Sequence, residues 1–149
     1  MNTKDNLYMK IAEAYSLESH AVRAKVGACL VTPRGVVLGG YNGTPSGTEN
    51  QCELQDYGQS YWEGDKWISV LVTKPEVIHA ETNAVLKAAK EGVSTTGSSV
   101  YVTHAPCIRC AAMLINAGIS RLVYKNEYKD KDGINLLVES GIQVTTLTR

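Results

Sequence analysis

Residues 100–125 read VYVTHAPCIRCAAMLINAGISRLVYK, and the fold turns on how that stretch is parsed. Val100–Thr103 is a short β-branched and aromatic run of the kind that forms a strand. Residues 107–117 are small and apolar at helical spacing, closed by Gly118, and Leu122–Lys125 is again a strand. The pattern then repeats. Residues 131–140 form a helix with Ile134, Leu137 and Val138 facing inward, Gly141 stops it, and Ile142–Leu147 is the last strand. Two successive β-α-β steps favour parallel pairing through right-handed crossovers.

Toward the N-terminus the alternation continues. From His79 the chain is helical, with Ala80, Ala84 and Ala88 on one ridge and Val85 and Ala89 on the next. Gly92 lies just past its end, where a left-handed cap sits. Residues 42–78 are a long connection, rich at its start in Gly, Ser, Asn and Gln, and connections of this length are usually functional. Within it Trp67–Thr73 is continuously apolar and reads equally as a strand or a packed loop. Val26–Thr32 and Val36–Tyr41, joined by Pro33-Arg34-Gly35, read as a β-hairpin. Residues 5–18 form a helix with Leu7, Ile11, Ala14 and Tyr15 on one face. The order α-β-β-α-β-α-β-α-β is that of a layered α/β domain.

The 149 residues are expected to form a single domain spanning 1–149. Fifteen basic side chains balance fifteen acidic ones, which argues against a polynucleotide partner, because that binding draws on clustered Lys and Arg. No apolar run approaches the ~18 residues that cross a bilayer, so no membrane association is expected. Met1-Asn2-Thr3-Lys4-Asp5 lacks the apolar stretch of an export signal, which predicts a cytoplasmic protein. Four cysteines are too few for a disulfide scaffold, and two of them, spaced C-x-x-C, point to a metal or redox role.

Two segments carry the chemistry: His79-Ala80-Glu81 opening one helix and Pro106-Cys107-Ile108-Arg109-Cys110 opening the next. One imidazole and two thiols suit a tetrahedral zinc ion, and three protein ligands plus a water make a catalytic site. Cysteines three apart in a first helical turn reach one ion, and the helix dipole there favours their thiolate form. Glu81, beside such an ion, would take a proton from the water and deliver it to a ring nitrogen and a leaving amine. Three other readings stand beside this one. The C-x-x-C is a redox pair; or the zinc is structural, with His104, Cys29 or Cys52 as fourth ligand; or Glu81 only stabilises a helix N-terminus. H-x-E followed by P-C-x-x-C is the signature of zinc deaminases acting on nucleobases.

With these segments, Val26-Gly27-Ala28, Gly40-Tyr41-Asn42-Gly43-Thr44-Pro45-Ser46-Gly47, Tyr101-Val102-Thr103 and Leu122-Val123-Tyr124 make the sequence resemble the deoxycytidylate (dCMP) deaminase family, within the cytidine-deaminase-like superfamily. The resemblance covers residues 20–147 and implies a three-layer α/β fold with a five-stranded mixed sheet flanked by helices. It implies hydrolysis of dCMP to dUMP and ammonia, supplying the precursor of dTTP. His79, Cys107 and Cys110 look like the zinc ligands, Glu81 like the proton shuttle and Asn42 like the residue that holds the sugar. Arg23 is the candidate for the 5′-phosphate, since a guanidinium fork suits phosphate geometry. Otherwise it is a solvated helix-end charge. Ala105 offers its backbone carbonyl to the departing amino group, and Tyr128 resembles a family tyrosine near the substrate.

The family also suggests a homohexamer activated by dCTP and inhibited by dTTP, with Mg2+ accompanying the triphosphate. Asn42, Gly43, Thr44, Ser46 and Gly47 would lie at that effector pocket, where glycine-rich backbone N–H groups receive phosphate oxygens. Some relatives bind a second zinc through a cysteine before Lys-Val-Gly. Ala24 stands there in this chain, so one Zn2+ per chain is expected. His104 and Ala105 occupy places that are often Leu and Ser. Tyr57, Tyr61, Trp62 and Trp67 either form a subunit contact, where aromatics are enriched, or cover the core.

Overall fold

The hairpin around Pro33-Arg34-Gly35 forms as its turn residues require. β1 (Gly27–Val31) pairs antiparallel with β2 (Val37–Tyr41), and Gly35 takes φ 85° between them. The computed structural model describes residues 3–147. β7 (Ser99–His104) pairs antiparallel with β1, and β8 (Arg121–Asn126) and β9 (Gln143–Thr146) add in parallel. The resulting five-stranded mixed sheet runs β2-β1-β7-β8-β9. Helices α3 (Ile108–Asn116) and α4 (Asp132–Glu139) make the two parallel crossovers, and α2 (Ala80–Glu91) follows the long connection.

Strand alternation sorts the core into two layers. Ala28, Leu30, Val100, Val102, Leu122 and Tyr124 face α2, α3 and α4, packing on Ala80, Ala84, Ala111, Leu114 and Leu137. Cys29, Tyr101 and Val123 face the other way, onto Met9 and Ala12 of α1 (Thr3–Ser16) and onto Leu147. Each fully buried Leu or Val contributes about 1.5–3 kcal/mol. The three layers are therefore α1, the sheet, and α2–α4.

The inward faces of three helices differ from the periodicity. On α1 the buried side chains are Asp5, Met9 and Ala12, whereas Leu7 is exposed and Ala14 faces solvent. Asp5 is drawn in because Arg121 donates to both its carboxylate oxygens, at 2.6 and 2.8 Å, and the Tyr101 hydroxyl donates at 2.8 Å. Val138 of α4 is also exposed, and Gly133 and Leu137 are its buried positions, with Ile134 and Leu136 packed alongside. Ala89 of α2 points to solvent.

Residues 42–78 fold into two small sheets. β3 (Glu53–Gln55) pairs with β6 (Leu71–Thr73), and β4 (Tyr61–Glu63) pairs with β5 (Lys66–Ile68). Trp67–Thr73 is thus neither one strand nor a loop, but the ends of two strands broken at Ser69-Val70. Tyr57, Tyr61, Trp62 and Trp67 do not cover the core. All four are exposed, and the two tryptophans stack across the hairpin with ring centroids 5.3 Å apart.

Candidate active site

β2, β7 and β8 end, and β1 begins, at the same edge of the sheet. α2 and α3 start over that edge. His79 is the N-cap of α2 and Cys107 the N-cap of α3, both with extended backbone (ψ 157° and 169°) and neither using its side chain as a cap. Those side chains are therefore free for another task. Their main-chain carbonyls open the helices, accepting from Asn83 N–H and Ala111 N–H at 2.9 Å. Two glycines bring the helices close. A Cβ on Gly40 of β2 would lie 2.5 Å from the Ala80 carbonyl oxygen, and one on Gly133 of α4 would lie 2.3 Å from that of Pro106.

The first turns meet at His79, Cys107 and Cys110, whose donor atoms all lie within 4.8 Å of one another. His79 Nδ1 is 3.3 Å from Cys110 Sγ and 3.6 Å from Cys107 Sγ. Tetrahedral zinc with Zn–N near 2.0–2.1 Å and Zn–S near 2.3 Å has N···S edges of about 3.6 Å. The donor set thus fits zinc in both chemistry and spacing. Among the described residues no fourth His, Cys, Asp or Glu joins the group. Cys29 lies in the core on the α1 side of the sheet. His104 and Cys52 line the adjoining cleft without entering the cluster. The Cys107 and Cys110 thiols are free rather than bridged. Thr82, one turn after His79, places its hydroxyl 3.5 Å from Cys110 Sγ.

The titratable groups of the cluster shift one another. Hydrogen bonds from Cys110 and then His79 hold the Cys107 thiol well below the ordinary thiol range. The hydrogen bond with Cys107, together with burial, pushes Cys110 upward. His79 is raised chiefly by its bond to Cys107. Glu81 is 3% exposed, and burial raises its carboxyl above the usual value.

A cleft of about 270 Å³ opens onto these groups. His79, Glu81, Ala105 and Cys107 line one part of it; Arg23, Asn42, His104 and Tyr128 also contribute to its walls, as does Glu53, which the motifs did not single out. Asn42 is a clasp: its side-chain oxygen accepts the Val26 N–H at 2.8 Å, and its amide donates to the Ala24 carbonyl at 2.9 Å. Arg23 sends its guanidinium to Thr73 Oγ1, a long contact of 3.4 Å, which leaves the fork largely unengaged. Ala105 is fixed by its N–H, which donates to the Asn126 carbonyl at 2.9 Å. His104 Nδ1 sits 3.0 Å from Thr103 Oγ1, and burial lowers the pKa of its ring. Gly43, Thr44, Ser46 and Gly47 lie outside the cleft. Gly43 nonetheless exchanges both main-chain hydrogen bonds with Ile78, the residue before His79, at 3.0 and 2.8 Å.

Residues 2–126 match the family model described as the cytidine and deoxycytidylate deaminase zinc-binding region. The deoxycytidylate deaminase of Enterobacteria phage T4 is 33% identical, over 95% of this chain and 88% of that protein. ComE operon protein 2 of Bacillus subtilis is 36% identical over 82% of this chain, which spans only 59% of that protein's length. Among solved structures, the dCMP deaminase of cyanophage S-TIM5, crystallised in complex with dCMP and dUMP, superposes with a TM-score of 0.84. It is 40% identical and matched over 99% of both chains.

Proposed function

This chain belongs to the cytidine and deoxycytidylate deaminase family, and on that premise we propose that it hydrolyses dCMP to dUMP and ammonia, with one zinc ion per chain held by His79, Cys107 and Cys110. The observation that carries the reading is the spacing of those three donor atoms, matched to the edges of a zinc tetrahedron with Glu81 beside them. The likeness to phage deoxycytidylate deaminases supports the choice of substrate.

When bound, zinc supplies a Lewis acid that lowers the pKa of a coordinated water to about 7. The chain's own residues do the rest. Glu81 takes the proton that the attacking water loses and passes it to ring nitrogen N3 as the new C–O bond forms at C4. It then moves a proton to the exocyclic nitrogen, the C4–N bond breaks, and ammonia leaves. The balance is dCMP plus water giving dUMP plus ammonia. The Ala105 carbonyl accepts from the amino group and aligns it. Asn42 holds the wall of the sugar site, Arg23 meets the 5′-phosphate, and Tyr128 closes the mouth of the cleft.

Regulation by dCTP and dTTP, with Mg2+ on the triphosphate, is part of the same proposal. The Asn42–Gly47 loop supports it, because Gly43 is hydrogen-bonded to Ile78, directly before a zinc ligand. A nucleotide ordering that loop would act on His79 through its main chain. The exposed Tyr57, Tyr61, Trp62 and Trp67 support assembly into a hexamer. No helix among the described residues is long and apolar enough to cross a membrane. We place the enzyme with the nucleotide pools of the cytoplasm. The test is ammonia release from dCMP, CMP, deoxycytidine and dCTP, with and without dCTP, dTTP and Mg2+. dCMP is expected to be the preferred substrate; no turnover of dCMP under any of these conditions overturns the reading. Light scattering in the same mixtures tests the hexamer.

A further inference from the structure

The Thr82 hydroxyl makes the one side-chain hydrogen bond that joins α2 to α3 among the described residues, with its oxygen 3.5 Å from Cys110 Sγ. Sulfur's larger radius makes that a hydrogen-bond length, where the same separation between two oxygens would be long. Thr82 stands in the first turn of α2 and Cys110 in the first turn of α3. A threonine in a helix ordinarily turns its hydroxyl back to the carbonyl three or four residues earlier. Thr82 makes no such bond; its hydroxyl reaches across the helix pair instead.

The two sulfurs of the cluster are served differently. Cys107 is the N-cap of α3, and the Cys110 main-chain N–H acts on it. Cys110 lies nearly a turn further along and is only 5% exposed. Its sulfur meets His79 Nδ1 and the Cys107 thiol, both metal donors with no proton to give once an ion is held. That leaves the Thr82 hydroxyl as its donor, and a buried anionic acceptor left unmet is costly. We infer that Thr82 is a positioning residue for the metal: its hydroxyl donates to the Cys110 thiolate, fixing the sulfur in place and limiting the charge it gives the ion. This rests on the zinc reading above. A sulfur that gives up less charge leaves the bound ion a stronger Lewis acid. Thr82 does not line the cleft, so it acts through Cys110 and not on the nucleotide.

The test sets Thr82→Val, which replaces the hydroxyl with a methyl of nearly the same shape, beside Thr82→Ser, which keeps it. Chelator competition is expected to show zinc held about ten- to a hundredfold less tightly by Thr82→Val. In the cobalt-substituted enzyme the sulfur-to-cobalt charge-transfer band should move to lower energy, because a thiolate relieved of its hydrogen bond gives up an electron more easily. With dCMP, kcat falls while KM is unchanged, as suits a residue that never touches the nucleotide. Thr82→Ser should return most of the zinc affinity and the wild-type band. Thr82→Ala, which needs less room, repeats the comparison if valine disturbs the fold. An affinity loss with an unmoved band, a serine variant that shares the loss, or a valine variant that matches wild type in both readouts overturns the inference and leaves the zinc site intact. A wild-type protein whose cobalt form shows no thiolate charge transfer defeats the metal reading instead.

Discussion

Replacing Gly133 with alanine asks whether the approach of α4 sets the geometry of the metal ligands. The new Cβ would lie 2.3 Å from the Pro106 carbonyl oxygen, 2.8 Å from the Cys107 carbonyl carbon and 2.9 Å from its oxygen, where ordinary contact begins at 3.4 Å. These are main-chain atoms, which cannot swing aside as a side chain does. Relief requires α4 and the Pro106-Cys107 step to part by about 1 Å, several times the ±0.2 Å tolerance of a zinc–ligand distance. Overpacking of this kind costs about 1–3 kcal/mol. At about 2–4 °C per kcal/mol, the expected fall in Tm is roughly 2–12 °C. Displacing the support of a ligand weakens zinc binding by about ten- to a hundredfold. Chelator competition reads the affinity, and a thermal melt of the zinc-loaded protein reads the stability. A Gly133→Ala protein that melts within about 1 °C of wild type and holds zinc as tightly would refute the reasoning.

Glu81→Gln keeps the shape of the site and removes the proton acceptor, so zinc content is expected to stay at one per chain while kcat falls about 10²–10⁴-fold; elemental analysis beside ammonia release checks both halves. Asp5→Ala strands the Arg121 guanidinium and the Tyr101 hydroxyl on the far side of the sheet. Breaking a buried pair in this way costs about 3–5 kcal/mol; urea unfolding measures the loss, and kcat of the folded fraction should not change. Thiol labelling of the zinc-stripped protein follows the direction of the pKa shifts. The depressed Cys107 stays a thiolate as the pH falls, so iodoacetamide should label it nearly as fast at pH 6 as at pH 8. Cys29, which burial pushes to about 12, should remain unlabelled until the protein unfolds. Mass spectrometry of the labelled peptides would contradict this by finding Cys29 modified first.

The readable parts of this molecule are those whose physics is local. Cys107 and Cys110 share a helical turn, and His79 and Glu81 are two residues apart at the start of another. Their chemistry is therefore visible in short motifs, and Gly92, Gly118 and Gly141 punctuate the helices wherever a positive φ is needed. What escaped was non-local. No hydrophobic period brings Asp5 inside, because the reason is Arg121, more than a hundred residues away. For the same reason Leu7 and Ala14, which helical spacing puts on one face with Ile11 and Tyr15, lie outside the buried stripe of Asp5, Met9 and Ala12. Val138 read as core on spacing alone, whereas the close approach of Gly133 to Pro106 turns α4 so that Val138 faces out. Glu53 sits in a three-residue strand inside the long connection, and nothing in its neighbours announces that two distant N–H groups will converge on it. Thr82 was legible in principle, since a hydroxyl three residues after a helix-opening ligand lies on the ligand's face.

X-ray absorption at the zinc edge tests the central claim most directly. The account predicts one zinc per chain with a single nitrogen near 2.0–2.1 Å, two sulfurs near 2.3 Å and one light oxygen scatterer completing four-coordination. A shell with a third sulfur or a second imidazole, or a protein that holds no zinc because Cys107 and Cys110 are joined as a disulfide, would contradict it.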